Sequence, residues 1–70
     1  MPSKKLGEIV RELREAKGLT QAQLAERAQI ALSYVTVIEA GQQANPSRQI
    51  LQRIARALDV AAKRLLEPDA

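Results

Sequence analysis

The chain has no cysteine, no histidine, no tryptophan and no phenylalanine among its 70 residues, and Tyr34 is its single aromatic. Without thiols or imidazoles there is no disulfide framework, no thiol nucleophile, no ordinary zinc site and no imidazole base. Paired carboxylates, a nucleophile with its base and a phosphate-cradling glycine run are missing as well, so neither catalysis nor a cofactor nor a metal is expected. Long hydrophobic runs are also absent. The longest uncharged stretch, Ala28 to Ile38, is far short of a bilayer span and contains Gln29, Ser33 and Thr36. Nothing in the sequence resembles a cleaved signal, since Met1 to Lys5 is followed by the charged, periodic "LGEIVRELREAKG". A thiol-free chain with neither leader nor span is expected in the cytoplasm, away from membranes. No segment alternates with period two, and there is no internal repeat or low-complexity linker, which leaves one small domain near the lower limit for folding on its own core.

What the chain does have is helical periodicity. Leu6, Ile9, Val10 and Leu13 fall at i, i+3, i+4 and i+7, an amphipathic helix running to about Lys17 and stopped by Gly18. Thr20 and Gln23 have the spacing of a capping box, and Leu24, Ala25 and Ala28 form a narrow buried face, so a short second helix starts sharply. Val35 and Ile38, with Tyr34 beside them, bury one side of a third helix from about Leu32 to Ala40, and Gly41 stops it. Pro46 and Ser47 introduce a fourth, with Ile50, Leu51, Ile54, Ala55 and Leu58 inward and Gln49, Gln52, Arg53 and Arg56 outward. Val60, Leu65 and Leu66 predict a last short helix before Pro68. The expected fold is all-α: five short helices in one domain over residues 1–70, with its core at about 6–66.

Formal net charge is +3 with a pI near 9.8, which permits a polyanionic partner without requiring one. Lys4, Lys5, Arg11, Arg14 and Lys17 are interleaved with Glu8, Glu12 and Glu15 in the first quarter of the chain. Arg48, Arg53 and Arg56 meet no acid until Asp59, whereas Thr20 to Gly41 is slightly acidic. Two short helices joined by about three residues, the first capped by Thr20, form a helix-turn-helix whose second member stands out from the body. The outward side of that member carries Leu32, Ser33, Thr36 and Val37, and no Lys, Arg, Asn or Gln occurs from Ile30 until Gln42.

The stretch "LTQAQLAERAQIALSYVTVIEAGQQANPS" resembles the Cro and phage-repressor (XRE-type) helix-turn-helix family, and the likeness extends from Leu6 to about Leu66 through "ARALDV" and "RLLEP". It rests on Leu19-Thr20-Gln21 ahead of Leu24-Ala25, then Ala28, Ile30, Tyr34-Val35, Ile38-Glu39 and Gly41. The resemblance implies double-stranded DNA as the partner and the Leu32 to Ala40 helix in the major groove. It assigns Leu32, Ser33, Thr36 and Val37 to base edges, and Gln21, Tyr34, Gln42, Gln43, Asn45, Ser47 and Arg48 to the sugar-phosphate backbone. Thr20, Arg14, Glu39 and Gly41 are implied as structural support, with Arg14 and Glu39 pairing the first helix to the third.

The chain departs from the family at several of these positions. Ala31 stands where Ser or Thr usually caps the reading helix, a loss of about 1 kcal/mol for which Ser33 offers a cap further in. Gln29 replaces the usual turn glycine and disfavours a positive φ. Leu32 and Val37 replace polar or basic readers, Gln42 and Gln43 replace basic residues, and the Gly41 to Pro46 loop is one residue longer than the commonest pattern. An apolar reading face still has chemistry available: Leu32, Val37 and the Thr36 methyl suit the thymine C5-methyl, and Ser33 can donate to or accept from nearly any base. Tyr34 fits both a core position with its hydroxyl at the rim and a DNA contact. Arg53 and Arg56 read as solvated surface rather than a phosphate clamp.

The function these features support is a sequence-specific DNA-binding transcriptional regulator, a repressor or small controller, acting as a homodimer on a two-part site. The competing reading is a protein-interaction module that uses Leu32 and Val37 as an exposed apolar patch. Leu65 and Leu66 are adjacent and one short helix can hardly bury both. One of them is expected to make a small symmetric contact, giving a weak or DNA-assisted dimer on this domain's own surface.

Overall fold

In the computed structural model, which describes residues 5–42, 46–61 and 63–66, the periodic segments become five helices: α1 (Leu6–Ala16), α2 (Gln21–Ala28), α3 (Leu32–Glu39), α4 (Arg48–Ala57) and α5 (Lys63–Leu66). No strand occurs among the described residues. The starts of α2 and α4 are fixed by side chains. Thr20 Oγ1 accepts from the Gln23 N–H at 3.0 Å while Gln23 Oε1 accepts from the Thr20 N–H at 2.9 Å, a complete capping box. Ser47 Oγ accepts from the Ile50 N–H at 3.2 Å. At α3 the cap does not shift to Ser33. Ala31 is the N-cap, no side chain closes that end, and Ser33 is exposed within the first turn.

The first four helices end in one motif. The N–H two residues beyond each helix's closing turn bonds back to a carbonyl five residues earlier: Leu19 to Arg14 O, Ile30 to Ala25 O, Gln42 to Val37 O and Val60 to Ala55 O, all between 2.9 and 3.1 Å. The motif requires a left-handed residue just before the donor. Gly18 and Gly41 supply it, but so do Gln29 at φ 59 and Asp59 at φ 57. The positive φ that a glutamine should resist is therefore adopted at the turn between α2 and α3. Two contacts offset its cost: Ile30 packs on the core, and Arg53 Nη1 donates to the Gln29 carbonyl at 3.2 Å. Arg53 is thus exposed, as expected, but tied to the turn.

The core collects the inward faces. Val10, Leu24, Val35, Ile38, Ile54 and Leu58 are essentially inaccessible, joined by Ile9, Ala25, Ala28, Leu51 and Ala55. Ile50 is only half-buried. Leu19 and Pro46, residues with no helical period to betray them, are buried too. Leu65 takes the inward position of α5, whereas the Leu66 side chain and its proposed symmetric contact lie outside the described residues.

α2 packs on α3 and α4, α1 on α3 and α5, and α4 on α5. The reading helix is thereby held from two sides. A close approach occurs at Gly7 in the first turn of α1. A Cβ there would collide with the carbonyl oxygen of Ile38 and come within 2.9 Å of that of Glu39. Only glycine lets α1 lie across the end of α3 at this separation. A glycine inside an apolar-periodic helix is the sequence signal for such an approach.

Candidate nucleic-acid interface

One polar chain joins α1, α2 and α3. Arg14, in the last turn of α1, forks onto Glu39 at the end of α3, with Nε donating to Oε2 at 2.7 Å and Nη2 to Oε1 at 3.0 Å. Its remaining Nη1 donates to the Leu19 carbonyl at 2.7 Å. Glu39 Oε1 also accepts from Gln21 Nε2 at 3.1 Å, and Gln21 Oε1 accepts from the Thr36 hydroxyl at 3.1 Å. The Arg14 and Glu39 side chains are 12% and 3% exposed, so the pair is shielded from water and salt. The hydrogen bond to Glu39 holds the Arg14 guanidinium above its ordinary value, against the opposing effect of burial. A buried ion pair holds its place only when its hydrogen-bonding capacity is met, and no buried side-chain nitrogen or oxygen among the described residues lacks a partner.

Above this chain lies the outer face of α3. Leu32 is 48% exposed and is the only large hydrophobic residue so exposed among those described. Ser33 and Thr36 are exposed beside it. Val37, expected on the same face, is half-buried and stands at its margin. At about 100° per residue, Leu32 and Val37 diverge by about 140°, and only the arc between them, holding Ser33 and Thr36, faces fully outward. Tyr34 is half-buried and packs against the core, closer to the core-filling reading than to an open contact.

The flanking residues divide. Gln42 and Arg48 are exposed at the end of α3 and the start of α4. The Ser47 hydroxyl is already used as the α4 cap. Gln21 is half-buried with both ends of its carboxamide engaged, so it is first a brace and only one of its N–H groups is left for another acceptor. Gln43 and Asn45 lie outside the described residues. Gly7 and Arg53 are the positions that sequence reasoning missed, the first visible only as an odd glycine and the second only through its long-range bond to Gln29.

Among the described residues, no group of acidic side chains is placed to hold a metal ion, and no helix is long and apolar enough to cross a membrane. Two short helices set on a turn, locked to a third through a forked ion pair and presenting an open face, define a helix-turn-helix domain. The chain belongs to that family: the family model described as Helix-turn-helix matches residues 10–65. Among curated relatives, the HTH-type transcriptional regulator SinR of Bacillus subtilis is 39% identical over 62 residues, covering 89% of this chain and 56% of that protein. The chain spans about half the length of the curated relatives it matches. The crystal structure of SinR, a master regulator for biofilm formation, in complex with DNA is similar at a TM-score of 0.84 and 39% identity, over 89% of this chain and 98% of that one. The restriction-modification controller protein C.AhdI from Aeromonas hydrophila is similar at a TM-score of 0.81 and 42% identity, over 86% of this chain and 89% of that one.

Proposed function

We propose that the chain is a sequence-specific DNA-binding transcriptional regulator of the repressor or small-controller kind. In this reading it acts in the cytoplasm as one helix-turn-helix unit over residues 1–70, without catalysis. α3 enters the major groove with its N-terminal end toward the bases. Leu32, Ser33 and Thr36 read base edges, with Val37 at the rim. Gln21, Gln42, Gln43, Asn45, Ser47 and Arg48 follow the sugar-phosphate backbone, Tyr34 contributes at most its rim hydroxyl, and Thr20, Arg14, Glu39 and Gly41 keep the helix in place. The observation that carries the reading is an exposed leucine at the first position of a helix braced from behind by a satisfied ion pair. A helix anchored at one end and open at the other suits a surface that must meet a shaped partner without rearranging. The similarity to SinR, whose structure in complex with DNA is solved, supports DNA as that partner.

α3 carries no basic side chain. Attraction to phosphate in this reading comes from Arg48, from the uncapped α3 N-terminus and from the α4 N-terminus. Base discrimination comes from thymine methyl groups meeting Leu32 and Val37, with Ser33 as an adaptable hydrogen-bonding group.

The test is selection from random duplexes, followed by a salt titration of the winning site and of its uracil-substituted copy. The expected result is a site with thymines where α3 docks, affinity falling linearly on logarithmic axes with salt, and weaker binding to the uracil duplex. That difference should shrink in Leu32→Ala or Val37→Ala. Absence of binding to any duplex at low salt would overturn the proposal and assign the face to a protein partner.

A further inference from the structure

Thr36 is exposed in the middle of the outer face of α3, yet its hydroxyl points back into the protein. Oγ1 lies 3.1 Å from Gln21 Oε1 and 3.2 Å from the Leu32 carbonyl oxygen. The orientation of Gln21 is decided by its other end. Glu39 is an acceptor only, so the carboxamide must turn its NH2 group toward Glu39 Oε1 and its oxygen toward Thr36. Glu39 in turn is clamped by both prongs of Arg14. Both neighbours of Thr36 Oγ1 are therefore acceptors, and its single proton is committed inward whichever of them takes it. A hydroxyl so committed has no donor left for guanine N7 or O6, which leaves Thr36 its methyl group and an acceptor lone pair to offer a base edge.

We propose that Thr36 is a specificity-determining residue that reads DNA through its methyl group, with Gln21 as the positioning residue that holds the hydroxyl away. The group it recognises is the C5-methyl of one thymine beneath the middle of α3. This inference rests on the DNA-binding reading and adds one base to its code. It also separates Thr36 from Ser33, whose exposed hydroxyl serves as a general donor and acceptor.

Two substitutions divide the methyl from the hydroxyl. Thr36→Val keeps the shape and the methyl and loses the hydroxyl, and Thr36→Ser does the reverse. Because Thr36 is exposed, both fold as the wild-type chain does, which a melting curve checks. Affinities are measured for the selected site and for copies in which each thymine under α3 is changed singly to uracil. Burial of one methyl corresponds to about a fourfold change in affinity. The wild-type chain and Thr36→Val should each lose about fourfold at one particular thymine. Thr36→Ser should show no loss there, while the thymine under Leu32 still discriminates in all three proteins. Discrimination retained by Thr36→Ser, or abolished in Thr36→Val, would overturn the inference and leave DNA binding standing. A wild-type chain that binds no duplex would overturn both. Independently of DNA, side-chain scalar couplings of Thr36 in the free protein should report one χ1 rotamer, and averaged couplings would overturn the anchoring by Gln21.

Discussion

At the scale of single residues, two positions carry backbone constraints of opposite sign. Gly7 is where α1 touches the carbonyls that end α3. Alanine there gains about 1 kcal/mol of helix propensity but forces a methyl against backbone, which cannot rotate away. Overpacking of this kind costs about 1–3 kcal/mol and adds displacement of the reading helix. Gly7→Ala is expected to be destabilised in urea unfolding despite its better helix former, and an unchanged or higher midpoint would show that α1 and α3 part freely. Gln29 is the reverse case, a side chain held left-handed where glycine is at ease. The left-handed conformation costs an L-residue about 1–2 kcal/mol, and glycine recovers that less its own entropy in the unfolded chain. Gln29→Gly should therefore stabilise the domain by about 0.5–1 kcal/mol. The bond from Arg53 should survive, because it reaches the backbone carbonyl and not the side chain. Equal stability of the two proteins in thermal unfolding would mean that the turn relaxes when Gln29 is replaced.

At the scale of elements, the junctions between helices are polar while their faces are apolar. Arg14 and Glu39 bind α1 to α3 through a shielded fork. Removing one partner leaves the other buried and uncompensated, at about 3–5 kcal/mol, whereas removing both leaves no orphan charge. A double-mutant cycle with Arg14→Ala and Glu39→Ala should show strong coupling, the double variant losing far less than the sum of the single ones. Strict additivity would mean that the fork does not form in solution. The second junction, Lys17 Nζ to Asp59 Oδ2 at 2.8 Å, joins the end of α1 to the turn after α4 but stands in water. Its hydrogen bond to Lys17 lowers the Asp59 carboxyl below its ordinary range. A depressed carboxyl stabilises the fold above its unfolded pKa, and that contribution is lost as pH falls through the lower folded value. Asp59→Asn should accordingly lower stability slightly at neutral pH and low salt and converge with the wild-type chain in acid, which flattens the acid limb. An acid limb identical in the two proteins would remove the contact from the list of stabilising ones.

At the scale of the whole molecule, one helix face of this size reads few base pairs, and a regulator gains the remainder by pairing two copies on a two-part site. With Leu65 committed to the core, a symmetric contact from this pair would fall to Leu66, whose side chain lies outside the described residues. We propose a homodimer that is weak in the absence of DNA. Sedimentation should show a monomer dominating at micromolar concentration and a two-to-one complex on a two-part duplex, with a single half-site bound much more weakly. A tight dimer without DNA would place the subunit contact elsewhere and enlarge it.

The helices, the capping box at Thr20, the two glycine stops and most of the core are legible in the sequence, because they follow from local spacing and from side chains that act within a few residues. The helix-turn-helix and its Arg14 to Glu39 pairing were legible through family resemblance, since their partners recur at set distances along the chain. Features that depend on packing between elements emerge only in the folded chain. Val37 withdrew to the rim because α3 is rotated by what lies beneath it, and Tyr34 settled against the core for the same reason. Gln29 adopted a left-handed conformation because the burial of Ile30 and the reach of Arg53 outweigh local preference. Gln21, which reads as an outward phosphate ligand, is turned inward by a carboxylate 18 positions away. That bond also aims the Thr36 hydroxyl, because a carboxamide's two ends are chemically distinct and fixing one fixes the other.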